Sequence, residues 1–114
     1  MDEASAIDAL TALAQPTRLR VFRRLVASHP EPVAAGDLAR FFDIPHNTMS
    51  THLAVLTRAR LARVERQGRS MLYSADLDGF RDLVGFLTRD CCGGRPEICA
   101  PVLAALSCEA SSGA

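Results

Sequence analysis

The stretch that most constrains this chain is Pro45-His46-Asn47-Thr48-Met49-Ser50-Thr51-His52-Leu53-Ala54-Val55-Leu56-Thr57-Arg58-Ala59-Arg60. Met49, Leu53 and Leu56 recur at i, i+4, i+7, the spacing of one helix face. The opposite face carries His46, Asn47, Ser50, Thr51, Ala54 and Arg58, short and polar and then basic. A merely solvated face usually carries Glu and Lys in i, i+4 pairs, and this one has neither. Small hydroxyls, amides and an imidazole suit close approach to base edges and phosphates. Pro45 fits the first helical turn, where its missing N–H is not needed. Taken alone, the stretch also reads as an amphipathic core helix with an incidental polar face.

The neighbouring segments narrow the choice. Gly36-Asp37-Leu38-Ala39-Arg40-Phe41-Phe42 reads as a short helix with Leu38, Phe41 and Phe42 inward, and Asp43-Ile44 separates it from Pro45. A short helix, a tight turn and a second helix with a polar outer face form a helix-turn-helix. Two β-prone runs follow, Leu61–Arg66 and Ser70–Ser74, around Gln67-Gly68-Arg69. They read as a hairpin. A helix-turn-helix followed by a hairpin is a winged helix, so the expected class is mainly α with a small β-hairpin.

A chain of 114 residues suffices for one domain with one core. Its apolar runs are too short to span a bilayer, and Met1-Asp2-Glu3 lacks the basic start of a signal peptide. No membrane partner and a cytoplasmic location are therefore expected. The net charge is zero, but its distribution is uneven. Residues 15–75 hold ten Arg against Glu31, Asp37, Asp43 and Glu65, a balance of +6; the flanks hold three Arg against nine acids, a balance of −6. The basic excess coincides with the helix-turn-helix and wing, which favours a polyanion such as double-stranded DNA on that surface.

In chain order, Ile7, Leu10, Leu13 and Ala14 make the apolar stripe of a first helix. Pro16-Thr17 restarts the chain as a second, with Leu19, Phe22, Leu25 and Val26 inward; His29-Pro30-Glu31-Pro32 ends it. After the wing, Asp76 or Asp78 caps a helix with Leu77, Phe80, Leu83, Val84 and Leu87 on one face. That helix runs to about Cys91-Cys92 and stops at Gly93-Gly94, and Pro96 opens a short last helix. Apolar stripes on both terminal helices exceed what one small core covers, so a dimer through residues near 5–14 and 77–90 is expected.

Three ordered motifs resemble the ArsR/SmtB family of bacterial metal-responsive repressors. Leu13-Ala14-Gln15-Pro16-Thr17-Arg18-Leu19-Arg20-Val21-Phe22 is similar to the start of that family's second helix. Pro45 to Leu53 is similar to its recognition helix, and Leu61 to Tyr73, with Gly68-Arg69 at the tip, to its wing. The resemblance covers roughly residues 8–88. It implies a homodimeric winged-helix repressor that releases operator DNA when an inducer binds. His46, Asn47, Thr48, Ser50, Thr51 and His52 on the recognition helix, with Arg66 and Arg69 on the wing, are the expected DNA-binding residues. His52 keeps a second reading, as a satisfied histidine near the helix core.

The family carries its sensor in alternative places. The third-helix stretch Val33–Leu38 has no cysteine, so the Cys-x-Cys sensor of many arsenic-responsive members is absent. The zinc sensors use His and Asp along the fifth helix, but no His follows His52, and Asp78 and Asp82 lack imidazole partners. What remains is Cys91-Cys92-Gly93-Gly94-Arg95-Pro96-Glu97-Ile98-Cys99, with Cys108 beyond it. Thiolates are soft donors that select soft ions. Trivalent arsenic or antimony takes three sulfurs in a pyramid, and two adjacent thiols plus a third returned by a Gly-Gly turn can meet that need. The cluster resembles that of an arsenic-responsive ArsR branch, which implies Cys91, Cys92 and Cys99 as ligands and excludes Cys108. The metalloid-binding segment is then about 89–108 of a single 1–114 domain. Other readings stay open: a thiol-oxidation switch joining Cys92 to Cys99 or Cys108, or small buried hydrophobes. A thiol enzyme such as a metalloid reductase is disfavoured, because the cysteine pair sits at a helix C-terminus, whose dipole opposes thiolate formation, with no nearby His in sequence.

Overall fold

The computed structural model describes residues 1–92, with side chains through Thr88. Five helices and three short strands follow in the order α1 (Glu3–Leu13), α2 (Pro16–Ser28), β1 (Val33–Ala34), α3 (Ala35–Phe42), α4 (His46–Arg58), β2 (Ala62–Gln67), β3 (Ser70–Ala75) and α5 (Leu77–Cys92). This is a winged helix-turn-helix, mainly α with a small antiparallel sheet. The expected stop at Gly93-Gly94, the helix opened by Pro96, and Cys99 and Cys108 lie outside the described residues.

Each helix start has a local cause. The Asp2 carboxylate accepts the Ser5 amide at 2.8 Å and caps α1. Hydrogen bonding from the Ser5 side chain first, and from its amide second, holds the Asp2 carboxyl below its ordinary pKa. The Gln15 side chain accepts the Arg18 amide at 2.7 Å, with Pro16 in the first turn of α2. Asp76 caps α5, its Oδ1 accepting the Gly79 amide at 3.0 Å.

Two left-handed residues bracket α4. Asp43 (φ 53°) ends α3, with its amide on Arg40 O and the Ile44 amide on Ala39 O. Arg60 (φ 62°) ends α4 in the same way, with its amide on Thr57 O and the Leu61 amide on Leu56 O. Both are Schellman ends built without glycine. They turn the chain sharply on either side of α4 and so set how it projects.

The core is apolar throughout, with no buried polar or charged residue among those described. Met49, Leu53 and Leu56 are fully buried beneath α4, as their spacing predicts. They meet Val21 and Leu25 of α2, Leu38 of α3 and Leu61. Leu83 of α5 is buried with Leu77, Phe80 and Leu87 beside it, and Phe80 packs its ring 5.4 Å from that of Phe22.

The apolar stripe of α1 is not its buried face, and two expected inward faces, on α2 and α3, are corrected. On α1 the buried residues are Ala6, Ala9 and Ala12; Leu13 is partly buried, Ala14 is exposed, and Ile7 and Leu10 remain 54% and 43% exposed. The small stripe lets α1 approach α2 and α4 closely and leaves the large side chains outside. On α2 Val21, Phe22 and Leu25 are buried, whereas Leu19 and Val26 lie about 100° round the helix and are exposed. On α3 Phe41 points outward. It lies edge-on to Phe42 at 4.9 Å, and the Arg24 guanidinium covers its face at 4.3 Å. A cation over the ring offsets part of that exposure.

The hairpin forms as expected, with Ala62 opposite Ala75 through Gln67 opposite Ser70. Gly68 takes φ 61° at the first central position of the turn, where only glycine adopts that conformation freely. The sheet also has a third strand. Val33 and Ala34 pair with Tyr73 and Leu72, giving the order β1-β3-β2. Two residues are too few to show alternation in a sequence.

Candidate nucleic-acid interface

Helix α4 projects from the core between its two Schellman ends. His46, Asn47, Thr48, Thr51, Ala54 and Arg58 are exposed, and Ser50 is half-buried. No acidic residue lies anywhere from 45 to 60. Pro45 sits at the N-cap and offers no side-chain acceptor. Asn47 supplies one instead, its Oδ1 accepting the Thr48 amide at 2.9 Å. The Asn47 amide group keeps its donors for an incoming acceptor. Thr51 turns its hydroxyl back to donate to Asn47 O at 3.1 Å, which leaves its oxygen lone pairs outward.

The wing stands beside this face. Arg66 donates from Nε to Gly68 O at 3.2 Å, which fixes the stem of its side chain along the turn. Arg69 is exposed and has no ion pair among the described residues. A cleft of about 470 Å³ separates the wing from the helix-turn-helix. Arg40, His46 and Ser50 line one side, Arg69, Met71 and Tyr73 the other. The structure thus brings His46, Ser50 and Arg69, three of the expected DNA-binding residues, to one groove. Arg40, which the sequence reading did not single out, joins them, and its ion pair with Asp37 holds it at the rim.

The charge separation along the sequence differs from that in space. Arg60 pairs with Asp82 at 2.8 Å, and Arg63 with Asp78 at 2.9 Å and Asp76 at 3.3 Å. Asp76, Asp78 and Asp82, around the start of α5, therefore neutralise two of the ten central arginines, and Asp76 first, with Asp78 second, holds the Arg63 guanidinium above its ordinary pKa. Arg58, Arg66 and Arg69 remain without an acidic partner among the described residues, on the α4 and wing side.

His52 departs from this surface. It is half-buried, and its Nδ1 lies 3.5 Å from Arg18 Nη1. Desolvation first, and the Arg18 charge second, hold its pKa below 6.5. Of the sensor cysteines, Cys91 and Cys92 close α5. Among the described residues no three His, Cys, Asp or Glu side chains gather to hold a metal ion.

A recognition helix beside a basic wing defines a DNA-binding regulator class, and the comparisons narrow it. A helix-turn-helix domain model matches residues 13–65, from the end of α1 into β2. No curated protein matches the chain. Among solved structures, a possible transcriptional regulator for arsenical resistance is 31% identical, with TM-score 0.63, covering 70% of this chain and 80% of its own. An ArsR-like transcriptional regulator from Rhodococcus sp. RHA1 is 21% identical, with TM-score 0.69 and 90% of both chains covered. A homodimeric winged helix-turn-helix domain from Mycobacterium bovis, a possible ArsR-family regulator, is 22% identical, with TM-score 0.62, covering 70% of this chain and 72% of its own. The chain belongs to the helix-turn-helix transcriptional regulators, and several of its structural neighbours, each under 25% identical, are described as ArsR-family or ArsR-like. No described helix is long and apolar enough to cross a membrane.

Proposed function

We propose that this protein is an arsenic-responsive transcriptional repressor, which binds double-stranded operator DNA as a homodimer and leaves it when trivalent arsenic or antimony binds Cys91, Cys92 and Cys99. The observation that carries the DNA half is the acid-free outer face of α4 beside Arg69 of the wing. His46, Asn47, Thr48, Ser50 and Thr51 read bases in the major groove, and Arg66 and Arg69 hold the backbone. The homodimeric relative and the exposed Ile7 and Leu10 of α1 support the dimer. Two recognition helices then enter successive major grooves ~34 Å apart.

The inducer half rests on donor chemistry. Three soft thiolates suit a trivalent metalloid and not a hard cation. One solved relative is described as a possible regulator for arsenical resistance, which agrees. Helix α5 connects the thiols to the reading head. Its sixteen residues form a lever roughly 24 Å long, with Cys92 at one end. Its other end is latched by the Asp82–Arg60 and Asp78–Arg63 pairs to the corner that follows α4. A strain at the cysteine end therefore reaches the recognition helix through α5.

The test begins with duplexes selected from a random-sequence library by the purified protein, followed by binding titrations with and without arsenite. Selective duplex binding that weakens on adding arsenite is expected. Binding unaffected by arsenite but lost on peroxide treatment would replace the metalloid with thiol oxidation.

A further inference from the structure

Helix α1 ends with a carbonyl that the following backbone cannot satisfy. By helical count, Ala12 O should meet the amide of residue 16, but Pro16 has none. Arg18 supplies the missing donor, from Nε to Ala12 O at 2.7 Å, and Nη2 reaches Thr11 O at 3.5 Å. The remaining arm, Nη1, faces His52 Nδ1 of the recognition helix at 3.5 Å. Arg18 has no acidic partner among the described residues. One guanidinium thus spans the end of α1, the start of α2 and the middle of α4.

A guanidinium only donates, so Nδ1 must face it with a lone pair and the imidazole proton must sit on Nε2. A doubly protonated ring would set two cations against each other. Among the described residues, Arg18, from α2, is the one charged group that bears on His52. From α1, Asp8 lies in the adjoining groove with Thr11, Val55 and Arg58. Helix α3 and strand β2, also packed on α4, bring no charge to bear on His52.

We propose that Arg18 is a positioning residue for DNA binding, tying the end of α1 to the recognition helix through neutral His52. The inference rests on the DNA-binding reading above and deepens it. The outer face of α1 carries Ile7 and Leu10, assigned there to the subunit interface. Arg18 then fixes the recognition helix relative to the partner subunit, which sets the spacing between the two reading heads.

The test uses the full-length protein and a labelled duplex selected from a random-sequence library. Affinity is measured at about pH 7.5 and about pH 5.5, at constant ionic strength, for wild type, His52→Asn and Arg18→Lys. Asparagine keeps an acceptor near Nδ1 and does not titrate; lysine keeps the charge but cannot span Ala12 O and His52. Wild type should lose roughly five-fold more affinity than His52→Asn on acidification, a coupling of ordinary allosteric size. Every group other than residue 52 is common to the two proteins and cancels in that ratio. Arg18→Lys should already bind roughly five-fold more weakly at the higher pH. It should melt as a folded protein and show no extra pH dependence. Equal acid losses in wild type and His52→Asn would overturn the proposal, as would a proton on Nδ1 in the imidazole NMR spectrum of the free protein. If Arg18→Lys does not fold, the wild-type to His52→Asn ratio alone decides. A wild type that selects no duplex would overturn the DNA-binding reading itself, before any variant is compared.

Discussion

Gly79 lies against the carbonyl of Arg60: a β-carbon at residue 79 would fall 1.8 Å from that oxygen. The contact is backbone on backbone, so no side chain can move aside. It joins the first turn of α5 to the left-handed residue that ends α4. The Arg60–Asp82 pair closes the same corner one turn further on. Helix α5 is therefore seated on the exit of the recognition helix.

Gly79→Ala should destabilise the fold by about 3 kcal/mol, the upper range for forcing atoms into a packed site. Thermal or urea unfolding measures it. Asp82→Ala removes only a half-exposed ion pair, which contributes at most ~1 kcal/mol. A Gly79→Ala protein as stable as wild type would show that the α4–α5 corner is looser than this geometry.

Asn47→Ala or Ser50→Ala should lower specific affinity by ~1–3 kcal/mol per lost base contact and relax the selected sequence. Arg69→Ala should weaken binding to all duplexes alike and reduce the slope of log K against log salt by about 1. Titrations at several salt concentrations separate the two behaviours. Unchanged binding in all three variants would remove the assigned DNA face.

The helix-turn-helix and wing were legible because their patterns are local. Met49, Leu53 and Leu56 share a face by spacing alone, and the Gly68 turn sits between two β-prone runs. Burial on the outer helices was less legible, because apolar size is a poor guide where a helix packs closely. Alanines carry the inner face of α1, and Arg24 accounts for the outward Phe41. Charge tallied along the sequence also misled, since Asp76, Asp78 and Asp82 fold back onto Arg60 and Arg63. The role of Arg18 had one sequence signal, a proline four residues after Ala12, which leaves a carbonyl in need of a donor. Nothing in sequence spacing indicates that His52 meets Arg18 across 34 positions.

Ile7→Asp with Leu10→Asp should give a folded monomer. Both side chains are exposed and cover no part of the described core, so the fold should survive. Two buried charges facing their copies across a two-fold interface would oppose association. Sedimentation at micromolar concentration checks it, and a dimer as tight as wild type would place the interface elsewhere.

The stability of the free protein should fall on acidification in a way that depends on His52. Its folded pKa lies below the unfolded 6.5, so the unfolded chain binds the proton first. The stabilising contribution of neutral His52 is complete above that unfolded value. It declines as pH falls through 6.5 toward the lower folded pKa. Melting temperatures of wild type and His52→Asn should therefore diverge below about pH 6.5, with wild type losing more. Parallel curves would mean that the ring is equally protonated in both states.

The cysteine assignment makes the most demanding prediction. Cys91 and Cys92 are consecutive at the end of α5, so a third thiol from beyond that end is needed to complete a pyramidal site. If Cys99 is that thiol, Cys91→Ser, Cys92→Ser and Cys99→Ser should each still repress but no longer respond to arsenite. The proposed DNA face is built from α4 and the wing and uses no residue of α5, so operator binding without inducer should be unaltered. Cys108→Ser should respond nearly as wild type. Coupling between the metalloid and the operator should be ~1–3 kcal/mol and reciprocal, so bound operator should weaken arsenite binding by the same factor. A reporter-repression assay with arsenite, run on all four single substitutions, decides the ligand set. An unresponsive Cys108→Ser beside a fully responsive Cys99→Ser would exchange the third ligand. Loss of response in all four would indicate a four-thiolate site, which suits a tetrahedral metal ion and not a pyramidal metalloid.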